Sequence, residues 1–137
     1  MSHEWELQKA IYAVLTAASI SGVQSIRDNP NTEPSTSDYP FIEISTSQDL
    51  ADDTGGDDGT GDEGLETYFD IDVWSRYRGQ KEVKEIMGAV YDALHHQSLT
   101  VTGRSTAFCW LDDKRIIDSP DGLTRHGIMT FKITHRS

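Results

Sequence analysis

"LETYFDIDVW", residues 65–74, is the stretch on which the fold turns. Leu65, Thr67, Phe69, Ile71 and Val73 occupy alternate positions, with Glu66, Tyr68, Asp70 and Asp72 between them. That is the two-residue period of a strand with one apolar face. Phe41–Gln48 repeats the pattern, with Ile42, Ile44 and Thr46 on one side and Phe41, Glu43 and Ser45 on the other. The two segments are expected to pair as an antiparallel hairpin, and their connection is far longer than the ~2–5 residues a hairpin needs.

That connection contains "DDTGGDDGTGDEG", residues 52–64, which holds six carboxylates and five glycines. From Asp49 to Glu66 the acids are Asp49, Asp52, Asp53, Asp57, Asp58, Asp62, Glu63 and Glu66, with no Lys or Arg among them. This window therefore carries eight of the eleven excess negative charges of the chain, and the remainder is close to neutral. An acidic, glycine-rich hairpin loop at about 49–65 is expected. Calcium coordination is disfavoured by spacing. An EF-hand loop needs acids at its first, third and fifth positions and Gly at its sixth. Counting from Asp53 or Asp57 puts Gly55 or Gly59 third, and counting from Asp58 puts Thr60 third and Glu63 sixth. Two readings remain: a charged surface facing a partner or a channel, and a solvated connection too polar to offset its ordering entropy.

Around the hairpin, Leu7, Ile11, Val14, Leu15 and Ala18 fall on one face of a first helix, Gly22 ends it, and Val23–Ile26 is either a short strand or an extended lead-in to the Asn29-Pro30 turn. Val83, Ile86, Met87, Val90, Tyr91 and Leu94 follow the helical stripe without a gap and define a second helix, closed by His95 and His96. Adjacent histidines point about 100° apart on a helix, unlike the i, i+4 pair of a zinc site. Thr106–Leu111 and Ile128–Thr134 have strand character, and Ser119-Pro120-Asp121-Gly122 between them is a turn signal that allows further strand pieces at 115–118 and 123–126. The expected order is helix, strand, strand, helix, strand, strand. The expected fold is a single α+β domain spanning 1–137, an antiparallel sheet of about four main strands with both helices packed on one face.

The function classes narrow by what the residues lack. Cys109 is the lone cysteine, which removes disulfide frameworks and multi-cysteine zinc sites, and its place between Phe108 and Trp110 suits a small buried thiol. G-x-S-x-G, the Walker loop, H-E-x-x-H and G-x-G-x-x-G do not occur. Asp70 and Asp72 share a strand face, but an exposed face gives no reason for a shifted pKa. No cofactor is implied. A net charge of -11 with no basic stripe argues against binding nucleic acid through its phosphates. No apolar run approaches the roughly 18 residues of a membrane span, and MSHEWELQK lacks a secretory h-region, so a soluble chain made in the cytoplasm is expected.

Three segments together resemble a known family: Leu7-Gln8-Lys9-Ala10-Ile11-Tyr12, Val73-Trp74-Ser75-Arg76-Tyr77-Arg78-Gly79, and Asp121-Gly122-Leu123-Thr124-Arg125-His126-Gly127. The chain is similar over nearly its whole length to the tail terminator, or tail-completion, proteins of long-tailed phages and gene transfer agents. That resemblance implies a structural virion protein without catalytic residues. It implies a homo-oligomer, a hexameric ring that caps the tail tube, halts its polymerisation and meets the tube protein on one side and the head connector protein on the other. Such a subunit is assembled in the host cytoplasm and ends at the head–tail junction. A ring of six would gather 48 acids from the Asp49–Glu66 window. Lining the channel, these would repel the phosphates of DNA that passes through without specific binding. Arg76, Arg78, Lys81 and Arg125, with Lys114 and Arg115, are the candidate basic partners, Arg125 having the alternative role of fixing the Asp121-Gly122 turn. The reading from another class is a small acidic binding module, either a cation-dependent adaptor or a DNA mimic.

Overall fold

The computed structural model describes residues 3–28, 38–52, 64–104 and 106–136. In chain order the elements are α1 (His3–Ala17), β1 (Ser25–Arg27), β2 (Phe41–Asp52), β3 (Gly64–Ser75), α2 (Lys81–Leu94), β4 (Gln97–Ser98), β5 (Thr106–Asp118) and β6 (Arg125–Arg136). They build one six-stranded sheet in the order β1-β2-β3-β6-β5-β4. The sheet curls into a half-barrel, and both helices pack against it.

This corrects the expected four-stranded antiparallel sheet. β1 joins β2 in parallel, with Ser25 opposite Phe41, which makes the sheet mixed, and β4 adds a sixth strand through Gln97–Cys109 and Ser98–Phe108 pairs. The physical reason is length. Strands of three and two residues are too short to display a period, so neither leaves a hydrophobic signature. The piece allowed at 115–118 is the end of β5, and β6 begins at Arg125, inside the piece allowed at 123–126. Their ladder runs from Thr106–Arg136 to Asp118–Arg125. A bulge between Leu111 and Asp113 breaks the alternation of β5, so its second half does not continue the pattern of its first.

The core forms where the apolar stripes converge. Leu7, Ile11 and Leu15 of α1 and Val83, Ile86, Met87, Val90 and Leu94 of α2 bury against Ile42, Ile44, Phe69, Ile71, Val73, Met129, Phe131 and Ile133. Cys109 is also fully buried, and burial pushes its thiol up to about 12. α2 can approach β6 closely because residue 127 is glycine. A Cβ there would stand 2.5 Å from Met87 Sδ and 3.1 Å from Val83 Cγ2. Gly127→Val is therefore expected to cost about 1–3 kcal/mol by overpacking, read as a lower urea midpoint. The stiff Val83 has less room to yield than Met87.

One polar pair interrupts this core. Thr67 and His135, both essentially inaccessible to solvent, share a 2.7 Å hydrogen bond between Oγ1 and Nε2 across β3 and β6. Thr67→Val keeps the shape and removes the hydroxyl, so it is expected to destabilise by about 1–3 kcal/mol. Thr67→Ser, which keeps the hydroxyl, should lose less in the same thermal melt; equal losses would contradict the hydrogen-bond account.

Candidate functional site

The face of the sheet turned away from the helices carries the polar residues of the alternation. Register brings them into rows. Phe41, Trp74, His126 and Ile117 are consecutive cross-strand neighbours on β2, β3, β6 and β5, and Glu43, Asp72, Ile128 and Arg115 form the next row. Trp74 stacks on His126 with ring centroids 3.7 Å apart and on Phe41 at 6.3 Å. Arg27 lies 4.4 Å over Phe41, and Tyr39 meets the same ring at 5.1 Å. A band of rings thus crosses the sheet near the start of β2.

Two carboxylates oppose one another beside that band. Glu43 is 9% exposed, and burial, reinforced by the neighbouring charge of Asp72, raises its pKa above the ordinary value. Asp72 stands 3.4 Å from His126 Nε2. Asp70 is half-buried and accepts a 2.8 Å hydrogen bond from the Thr130 hydroxyl. Asp70 and Asp72 thus stand against cross-strand neighbours on β6 and are not a row of solvated acids. Because Glu43 holds its proton more tightly in the folded chain than in the unfolded one, its contribution to stability is full below the unfolded pKa and is lost as pH rises through the folded one. Glu43→Gln is accordingly expected to raise the denaturation midpoint at pH 7, with the gain over the parent disappearing when the series is carried below about pH 4.

The acidic window divides. β2 continues to Asp52 and β3 begins at Gly64, with Asp52 paired to Gly64, so Asp49 and Asp52 lie on β2 and Glu66 on β3. Glu66 is half-buried and 3.4 Å from Lys132 Nζ, a partner that sequence reading did not name. Asp53, Asp57, Asp58, Asp62 and Glu63 lie outside the described residues.

The candidate basic residues sit at the other end of the same strands. Ser75 pairs with Arg125, whereas Gly64 pairs with Arg136. Eleven strand steps separate the two ends, about 36 Å. Arg76 is half-buried: its Nε donates to Thr124 Oγ1 at 3.2 Å, and its guanidinium lies 4.5 Å over Tyr39. Arg125 contacts Asp118 at 3.3 Å and donates to the Gly122 carbonyl at 3.3 Å, holding the β5–β6 turn. Arg78 is exposed, and Lys81, exposed at the start of α2, is 3.9 Å from Glu85. The structure thus brings Arg76 and Arg125 together around one turn but keeps all four away from the hairpin end. Lys114 and Arg115 are exposed on the second half of β5.

The β5–β6 turn is itself well built. Asp121 accepts hydrogen bonds from the backbone N–H groups of Leu123 at 2.8 Å and Thr124 at 3.1 Å, which lower its pKa. Gly122 has a φ of 72°, the left-handed conformation that a side chain resists. At the far side of the sheet, the backbone N–H of Leu111 donates to His95 Nδ1 at 3.0 Å, and His95 stacks between Tyr91 and His96 at 4.4 and 4.1 Å. His95 is thus a packed cap beside the bulge, not a solvated helix end. Among the described residues, no three His, Cys, Asp or Glu side chains converge to hold a metal. No helix among them is long and apolar enough to cross a membrane.

The family described as Tail completion protein gp17 matches residues 8–136. A chain from the virion of native gene transfer agent (GTA) particle superposes with a TM-score of 0.76 at 20% identity, covering 99% of this chain and 98% of that one. The bacteriophage SPP1 gp17 protein superposes with a TM-score of 0.54 at 23% identity, covering 97% and 94%. Both likenesses show the fold. No curated protein matches the chain.

Proposed function

Since this chain belongs to the tail completion protein gp17 family, a structural family and not one of enzymes, we propose that it completes a tail by closing into a ring. Six copies cap the tail tube of a phage or gene transfer agent particle, stop further addition of tube subunits and present the opposite face of the ring to the head connector. The particle's DNA passes through the centre. The work is done by shape, symmetry and charge.

The observation that carries this reading is the polarity of the β2–β3 hairpin. The ends of the described acidic strands, Asp52 and Gly64, lie about 36 Å along β3 from Ser75, the end at which Arg76 and Arg125 sit. Turned inward around a sixfold axis, the hairpin ends form a negative lining that repels phosphates and leaves the genome free to move. Turned outward, the same charge would have no such use.

Mass measurement over a range of concentrations tests the ring. Six subunits of 15.3 kDa give a particle of about 92 kDa, and electron micrographs of that species should show closed rings with a central hole. Open chains of variable length would contradict the proposal.

A further inference from the structure

Most described cations of this chain already have a carboxylate. Lys9 meets Glu6, Arg27 meets Asp38, Lys81 meets Glu85, Arg125 meets Asp118 and Lys132 meets Glu66. Lys84, Lys114 and Arg115 meet none among the described residues, although the chain holds 23 acids against 12 bases. Lys114 has only the Tyr91 ring, 5.9 Å away. These three exposed cations line one groove of about 390 Å³, between α2 and β5, with Met87, Gly88 and Ile116. No described carboxylate lines it. A concave positive site on an otherwise acidic molecule draws negative charge to itself.

The same groove runs along an open strand edge. β4 pairs with β5 only at Phe108 and Cys109, and no other described strand lies on that side of β5. The direction of the backbone there follows from the turn, where the Ser119 N–H donates to the Thr124 carbonyl at 2.9 Å. Backbone groups alternate in direction along a strand, so Ile117, Arg115 and Asp113 turn theirs to β6, while Lys114 and Ile116 turn theirs outward. Outward N–H and C=O groups at alternate residues are what an extended peptide pairs with when it joins a sheet.

Gly88 adds an independent sign of close approach. It is exposed in the middle of α2, where glycine disfavours the helix, and a Cβ built on it would meet nothing within 4 Å. Gly127, by contrast, has Met87 and Val83 against it. Packing inside the subunit has no need of a glycine at 88, whereas a backbone drawn against the helix from outside does. Charge then selects the occupant. A basic strand entering here would meet three like charges, and an acidic one meets three unlike charges. Met87 and Ile116 on the floor suit an apolar residue set between the acids.

We infer that this groove is a docking site for an extended acidic segment of a partner protein. The segment adds to the open edge of β5 as a further strand, passes its backbone beside Gly88 and sets its carboxylates against Lys84, Lys114 and Arg115. This docking does not depend on closure of a ring.

The test is a titration of the full chain with a short capped peptide of glutamates around one central valine, followed by hydrogen exchange at single amides. Binding should saturate, weaken as salt rises, and slow exchange at the Lys114 and Ile116 amides at least about tenfold. The same peptide with lysine in place of glutamate should not bind. Joint Lys84→Glu and Lys114→Glu should weaken binding at least about tenfold. Gly88→Leu should weaken it as much while raising the thermal midpoint of the chain alone, because leucine favours the helix and the site around its Cβ is open. The inference is overturned by absence of saturable binding, by binding that leaves those two amides as fast as before, or by Gly88→Leu binding as the parent does. Amides already slow without peptide would mean that a second copy occupies the edge, and duplex DNA binding the groove more tightly than the peptide would mean a phosphate site; either result also overturns it.

Discussion

Phe131→Ala is expected to remove about 3–5 kcal/mol of folding stability, the largest loss from any single truncation considered for this chain. Phe131 is fully buried on β6, directly opposite Phe69 on β3 and Leu111 on β5. It therefore stands at the middle of the sheet, beneath the helices. Removing the ring leaves a void whose walls are strands held in register on both sides, so the neighbours have little freedom to collapse into it. Against a usual total of about 5–15 kcal/mol, such a loss leaves a marginal fold. Urea titration should show a large fall in midpoint with an unchanged slope. Phe108→Ala, at a position 38% exposed, supplies the comparison and should cost under about 1 kcal/mol, since less apolar area returns to water. Similar losses at the two positions would mean that the centre of the sheet is not the core.

Neutralising the acidic window is expected to have the largest effect on function. Exchanging all eight acids between Asp49 and Glu66 for Asn or Gln brings the formal charge from -11 to -3, a difference of eight per subunit. Folding should survive, because acids close to one another repel and their removal relieves that repulsion. DNA passage should not. A shift of only about 1.4 kcal/mol in the interaction between duplex and channel changes retention tenfold. Particles built with the neutral variant should therefore form in normal number and lose at least about tenfold in DNA delivery, with the defect easing as ionic strength rises. Normal delivery by normal particles would place these acids outside the channel. Glu66 is the position to examine separately, because its carboxylate also meets Lys132 on the sheet face.

How far the sequence disclosed this architecture depended on how long each element kept its period. β3 alternates over its full span and α2 keeps its stripe through Leu94, and both were legible. β4 was not, since two residues cannot show a period; β1 was legible only as one of two readings of Val23–Ile26, and its parallel pairing, which makes the sheet mixed, was not. The bulge at Leu111 hid the continuity of β5. The face opposite the helices was visible as a set of residues, but its network was not. Pairing of Asp72 with His126, of Glu66 with Lys132 and of Asp70 with Thr130 follows from strand register, which residues 66–72 alone do not specify. Glu43 was passed over because a single acid in an alternating strand reads as solvent-facing; its burial, and then its position opposite Asp72, raise its pKa, and neither shows in the sequence.

The most direct measurement is a cryo-electron reconstruction of the head–tail junction in intact particles that contain this chain. The account predicts six copies in one flat layer, each with its β2–β3 hairpin end toward the axis. Copies in a different part of the particle, or a layer whose hairpin ends point to the outside, would contradict it.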